Sequence, residues 1–440
     1  MDLIKSIFKG DKVIWIIFLF LCLISIIEVF SAASTLTYKS GDHWDPIAKH
    51  CIFLLIGTAI LILVHNLSYK WFKAIPFFML PISGIFLLML LLFDDLNIGG
   101  IFIIEKINEA GRWIKICGIT FQPSEFAKMG VIIVTANILS RGQTEEEAAP
   151  NAFKQIMIIA GITCAMILPE NYSTAVLLFG VVYIMMFIGR VSTKKLLILG
   201  GILLTAACIF VTFLVSTPND TLKKIPLGGR LTTWKTRIIE FTSSEHVPAA
   251  KFDIDGDAQK GHARIAVATS HIIGKGPGNS VQRDFLSQAF SDFIFAIIIE
   301  ELGLIGGAVV VVLYLWLLIR TGKIMKKCDR SFPAFLIMGI TLLLVTQALF
   351  NMMVAVGLAP ITGQPLPLIS RGGTSTFINC AYIGMILSVS RYTSELEEME
   401  KQQESLPQNV MSDPNAPVAS DIQTRFEPTA QILNNDEKFE

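Results

Sequence analysis

The chain has 440 residues, of which 52% are hydrophobic and only 16% charged. That balance excludes an ordinary soluble domain and indicates a polytopic membrane protein. The 36 basic and 36 acidic residues cancel, so net charge points to no class of partner, and no nucleic acid is expected among them.

A helix that crosses a bilayer needs about 20 predominantly apolar residues. By that measure there are ten candidates. They run near 13–33, 48–66, 74–94, 123–140, 155–168, 173–189, 195–217, 291–319, 333–356 and 367–390. The first follows Lys5, Lys9 and Lys12 and is long enough to span, so it reads as an uncleaved signal anchor. The fifth is short and ends at Pro169. The expected fold is an all-α polytopic integral membrane protein. Lys70, Lys73, Arg141, Lys154, Arg190, Lys194 and Lys195, then Arg320 to Arg330, fall in alternate short loops. That bias puts those loops and both termini in the cytoplasm.

Two segments then lie outside. One is 95–122. The other, about 218–290 between the seventh and eighth spans, is too long to be structureless and is expected to be partly folded. Residues 1–391 form the membrane domain. The tail 392–440 is acidic and polar, and is expected to be mostly disordered after a short helical extension. The seven cysteines show no CxxC or metal spacing and read as small packing residues.

Within this frame, "DFIFAIIIEELG" (292–303) is unusual, because it opens a span yet carries Asp292, Glu300 and Glu301. A carboxylate at bilayer depth costs about 2.5–3.5 kcal/mol even on a mild scale. Asp292 falls near the outer headgroups, with the glutamates about 12–13 Å deeper at the helical rise. Asp292 is either a helix N-cap or a group with chemistry to perform. The glutamates must face the bundle interior, and Lys128 in "PSEFAKMG" is the expected ion-pair partner of Glu301. In "GRWIKICGITFQPSEFAK", Trp113 fits an interface belt and Pro123 fits a helix start. "GLAPITGQPLPLISRGGTS" (357–375) is broken backbone at membrane depth, tolerated only where protein or a cavity covers it. Its N–H groups and Arg371 could cradle an anion. "GKGPGNS" (274–280) lacks the spacing of a nucleotide phosphate loop.

Together, "DFIFAIIIEELGLIGG", "GRWIKI…QPSEFAK", "GKGPGNS" and "GLAPITGQPLPLISRGGTS" resemble the signatures of the SEDS family (shape, elongation, division and sporulation) over roughly residues 10–392. The wording "GQPLPLISRGG" leans toward the FtsW branch over the RodA branch. The resemblance implies a peptidoglycan glycosyltransferase of the bacterial cytoplasmic membrane that polymerises lipid II. It also implies a class B penicillin-binding protein as transpeptidase partner, other division proteins, and a place at the septum. Asp292 falls on the family's essential acid and Trp113 on a functionally sensitive tryptophan. Arg371 departs from the family, where an aromatic often precedes Gly-Gly, and Thr374 stands where serine is common. "PENYST" (169–174) departs too, so no role is carried onto Glu170 or Asn171.

On this reading Asp292 is a general base for the attacking sugar hydroxyl. Arg112, Trp113, Arg230, Arg237, Lys275, Arg371, Thr374 and Ser375 are candidates to hold the lipid pyrophosphate or headgroup. A divalent cation, Mg or Mn, is the other means of neutralising it, with no metal ligands assigned. A flippase, a RodA-like elongation polymerase and a scaffold for division proteins are the competing readings.

Overall fold

The computed structural model describes residues 9–32, 44–93, 95–98, 102–105, 113–116, 119–143, 148–224, 228–242, 258–286 and 289–404. The long helices are α1 (Lys12–Ala32), α2 (Asp45–Asn66), α3 (Ile75–Leu92), α4 (Pro123–Ser140), α5 (Ala152–Ile167), α6 (Tyr172–Ile188) and α7 (Thr193–Ser216). Two shorter ones, α8 (Gly228–Thr242) and α9 (Ala258–Ala268), lie in the large loop. Then come α10 (Ile294–Met325), α11 (Ser331–Ala355) and α12 (Gly373–Glu404). Each of the ten apolar segments thus overlaps a helix of at least 16 residues. Among the described residues six helical segments are long and apolar enough to cross a membrane, and α5 and α6 are shorter apolar helices. The chain is a polytopic helical membrane protein.

The fold is not all-α. Residues 95–121 hold a four-stranded antiparallel meander, β1 (Asp95–Ile98), β2 (Phe102–Glu105), β3 (Ile114–Ile116) and β4 (Ile119–Phe121), in sequential order. Ile104 pairs with Ile114, and Ile116 with Ile119. Ile104 and Ile114 bury one face against Leu90 of α3. Phe121 then stacks on Phe126 at 4.4 Å, fixing the entry into α4. Strands of only three or four residues are too short to show a period of two, which is why the sequence points to no sheet here.

α11 is the central element, with 78% of its apolar window buried, whereas α7 has 6% and lies at the periphery. α11 packs on α10, α4 and α6, and α12 lies along α2. The α2–α12 approach is close: a Cβ on Gly384 would lie 2.8 Å from the Leu61 carbonyl. Small residues at such crossings are the usual means of packing helices in lipid.

One boundary differs from the expected ones. The tenth helix begins at Gly373, because the chain turns over 367–370 with Leu368 at φ +65°, a conformation no right-handed helix contains. It continues to Glu404. Residues 405–440 lie outside the described residues. The large loop is partly folded as expected, with a single helical turn at Asn219–Leu222 besides α8 and α9.

Candidate active site around Asp292

Asp292 sits in a turn just before α10 and is half-buried. The residue capping α10 is Phe293, one position later. Ser291 Oγ donates to Asp292 Oδ1 at 3.1 Å, which orients the carboxylate.

The loop between α11 and α12 clasps this turn. Ser370 Oγ donates to the Ser291 carbonyl at 2.6 Å and accepts from the Leu366 N–H at 2.7 Å. The Arg371 N–H donates to the Phe290 carbonyl at 2.9 Å, and the Arg371 guanidinium lies 5.7 Å from the Phe290 ring centre. Asn351 of α11 bridges both pieces: its Nδ2 donates to the carbonyls of Asp292 and Gln364, each at 2.8 Å. The Pro/Gly-rich stretch at membrane depth is thus covered by protein. Its backbone is satisfied by buried side chains, as irregular backbone at that depth requires.

Behind the turn runs a buried polar relay. Gln364 Nε2 donates to Thr174 Oγ1 at 2.7 Å and to Asn171 Oδ1 at 3.3 Å. Gln347 Nε2 donates to the Pro365 carbonyl at 3.0 Å, and its Oε1 accepts from Lys128 Nζ at 3.0 Å. Lys128 is paired with Glu125 at 2.7 Å, one helical turn earlier on α4. The expected Lys128–Glu301 pair does not form. An i,i+3 neighbour on the same helix is within reach without any adjustment between helices.

Glu301 has other partners. It accepts from the N–H groups of Gly278 (2.9 Å) and Ser280 (3.1 Å) and from Ser31 Oγ, with Arg283 at 3.9 Å. Glu300 accepts from Lys275 Nζ at 2.5 Å, from Ser280 Oγ at 2.5 Å and from the N–H groups of Val281 and Gln282. Both glutamates are fully buried and serve as anchors for the 274–284 loop. The loop enters through a break in α10. Gly303 has φ +74° and Gly274 φ +82°, and the two backbones cross there. A Cβ on Gly303 would fall 2.2 Å from the Ile272 carbonyl, and one on Gly274 2.3 Å from the Glu301 carbonyl. Lys275 N–H and Gly276 N–H donate to the carbonyls of Glu300 and Glu301 that the break frees, at 3.0 and 2.8 Å.

The candidate anion-binding residues divide accordingly. Arg371 lies beside the Asp292 turn, with Thr374 and Ser375 buried in the first turn of α12. Thr374 Oγ1 is buried without a hydrogen-bond partner. Lys275 is taken up by Glu300, so its charge is used in structure. Arg230 is paired with Glu170 at 3.1 Å, which gives Glu170 a structural role that its departure from the family pattern had left open. Arg237 Nη1 donates to the Ile361 carbonyl at 2.9 Å, tying α8 to the clasping loop. Arg237 also lines a small cavity beside Phe293 together with Arg264, a cation that sequence reasoning missed. Trp113 is half-buried just before β3, and Arg112 lies outside the described residues. Among the described residues no three His, Cys, Asp or Glu side chains group as a metal cage.

The model of the FtsW/RodA/SpoVE cell cycle proteins matches residues 11–395. The chain belongs to that family. Among its relatives is a probable peptidoglycan glycosyltransferase FtsW of Geobacter metallireducens, 31% identical over 392 residues, covering 88% of this chain and 96% of the relative. The probable FtsW of Halomonas elongata is 29% identical, covering 87% and 90%. Among solved structures, one described for the coordination of polymerization and crosslinking by a peptidoglycan synthase complex aligns with TM-score 0.66 at 20% identity. That alignment covers 88% of this chain and 99% of the other. RodA of Thermus thermophilus aligns with TM-score 0.58 at 19% identity, covering 87% and 97%. These two likenesses show a fold held in common with FtsW/RodA/SpoVE-type proteins.

Proposed function

We propose that this family member is a peptidoglycan glycosyltransferase that polymerises lipid II at the outer face of the bacterial cytoplasmic membrane, in septal synthesis, with Asp292 as general base. The observation that carries the reading is the Asp292 turn itself. It is half-exposed, oriented by Ser291, and clasped by Asn351 and the 366–371 loop. The sugar hydroxyl of the acceptor attacks the anomeric carbon of the donor, and the undecaprenyl pyrophosphate leaves. A carboxylate within hydrogen-bond reach takes the hydroxyl proton as the new bond forms. Arg371, and the cations Arg237 and Arg264 near Phe293, stabilise the charge that builds on the pyrophosphate. A magnesium or manganese ion carried in with the pyrophosphate would add to that charge neutralisation.

Both termini are cytoplasmic in this scheme, which puts the Asp292 end of the bundle and the 218–290 loop outside. The positive bias of the alternate loops supports it. A class B penicillin-binding protein crosslinks the strands. The buried acids and cations named above cluster toward the Asp292 end, which supports chemistry there over transport.

The test is glycan polymerisation from labelled lipid II, resolved on gels, by purified wild type and Asp292→Asn, each with its transpeptidase. The Asn variant is expected to fold normally and to lose about 10²–10⁴-fold in rate, as for a missing general base. Full activity in the Asn variant would remove Asp292 from the chemistry. No polymer from wild type would favour transport instead.

A further inference from the structure

The end of the bundle away from Asp292 holds a second polar cavity. Its volume is about 810 Å³, within the range of small-molecule sites. Four cations line it, Lys70, Lys73, Arg141 and Arg330, against one acid, Asp329. They come from three separate elements. Lys70 and Lys73 lie on the 3-10 turn Tyr69–Ala74, Arg141 follows the last residue of α4, and Arg330 precedes the first residue of α11. From the Asp292 turn, α10 runs for 32 residues before the chain reaches Arg330. At the helical rise that is on the order of 45 Å, so the cavity lies at the opposite end of the bundle.

The walls are fixed by packing. Lys73 Nζ lies 5.2 Å from the centre of the Phe332 ring, and the Tyr69 ring is 6.5 Å from the same ring. These contacts clasp the 3-10 turn to the first turn of α11. The N-terminus of α11 has no side-chain cap, so its first N–H groups are left for water or a ligand, and their dipole favours an anion. Among the described residues, Arg141 and Arg330 enter no ion pair. Cations gathered around one cavity repel each other unless an anion joins them. Trp71 and Phe77, 70% and 77% exposed, flank the turn. Exposed aromatics of this kind mark headgroup depth in a membrane protein.

We infer that this cavity binds a phosphate-bearing anion, the headgroup of an acidic phospholipid in the leaflet opposite the Asp292 end. A soluble phosphate compound has the same chemistry, and the experiment separates the two. The purified full-length protein is examined by native mass spectrometry with phosphatidylglycerol, cardiolipin and phosphatidylethanolamine as probes. In a parallel arm, thermal unfolding is followed in neutral detergent with inorganic pyrophosphate and no lipid.

Wild type is expected to retain the acidic lipids after phosphatidylethanolamine is stripped. A triple variant, Lys73→Gln with Arg141→Gln and Arg330→Gln, is expected to bind them about a hundredfold more weakly, taking about a factor of five per cation. Stabilisation by pyrophosphate that the triple variant loses, without retention of acidic lipid, assigns the same site to a soluble anion; stabilisation that the triple variant keeps belongs to the Asp292 end and counts against this cavity. Equal retention of acidic lipid by wild type and the triple variant overturns the inference. So does a wild type that binds neither probe, the result expected if the glutamates at 145–147, outside the described residues, neutralise the cavity. Should the triple variant fail to fold, Arg141→Gln alone is expected to weaken retention about fivefold, and Arg141→Lys to restore it. Indifference to both changes counts against the site.

Discussion

The buried Lys128 provides the sharpest test of how the polar interior is wired. Its side chain is 1% exposed and that of Glu125 3%. Lys128→Met would leave Glu125 ionised in the interior without its partner, and Glu125→Gln would leave Lys128 with only the Gln347 amide oxygen. Breaking a buried pair from one side costs about 3–5 kcal/mol. The double variant removes both charges and keeps the volume, so its cost should fall well short of the sum. A coupling of about 2–3 kcal/mol is expected, at the upper end of what contacting residues show. The cycle of Lys128→Met with Glu301→Gln should be additive within about 0.5 kcal/mol, because Glu301 hydrogen-bonds the 278–280 loop and Ser31 instead. The measurement is unfolding by sodium dodecyl sulfate titration of the protein in mixed micelles. Additivity in the first cycle with coupling in the second would refute the wiring and restore the interhelical pair.

Two further outcomes follow from the same contacts. Gly303→Ala should abolish stable, extractable protein, since its Cβ would fall 2.2 Å from a backbone carbonyl that cannot move aside. Gly322→Ala, a helical position with open space around it, should be neutral or slightly stabilising by comparison, and size-exclusion profiles would distinguish them. Asn351→Leu removes two donors from the carbonyls of Asp292 and Gln364 and should cost about 1–3 kcal/mol of stability. Its larger effect should be on lipid II polymerisation, where kcat falls while substrate affinity holds. Unchanged kcat would show that the clasp does not position Asp292.

Much of this arrangement was legible in the chain. The apolar runs coincide with helices because a segment in lipid must satisfy its backbone internally. Asp292 stood out because an acid at a span's mouth needs a reason. What the sequence could not disclose was pairing across distance. Lys128 has a carboxylate three residues earlier, yet its other partner, Gln347, is 219 positions away, and no periodicity links the two. Asn351, Gln364 and Ser370 are ordinary polar residues in sequence and become conspicuous only when Asn351 and Ser370 are found holding backbone groups of the Asp292 turn and its clasp, and Gln364 is found tying the clasp to Thr174 and Asn171. The meander at 95–121 was hidden by strands too short to show a period of two.

The irregular backbone and the buried charges belong to one physical problem. A half-exposed carboxylate can act on a membrane-bound substrate only if its turn is held still at the end of a bundle. Yet the elements that hold it, the 357–372 loop and the broken α10, free backbone groups that lipid cannot satisfy. Several of the freed groups have protein partners: Ser370 and Asn351 in the clasp, Gly276 and Lys275 at the helix break. The glutamates at 300 and 301 extend the same device, since one carboxylate accepts several N–H donors from a loop whose regular structure is limited to a short 3-10 helix at Gln282–Asp284. A helix that ran unbroken through Gly303 would need neither glutamate, but the 274–284 loop would then have nothing to anchor it beside the Asp292 end of α10.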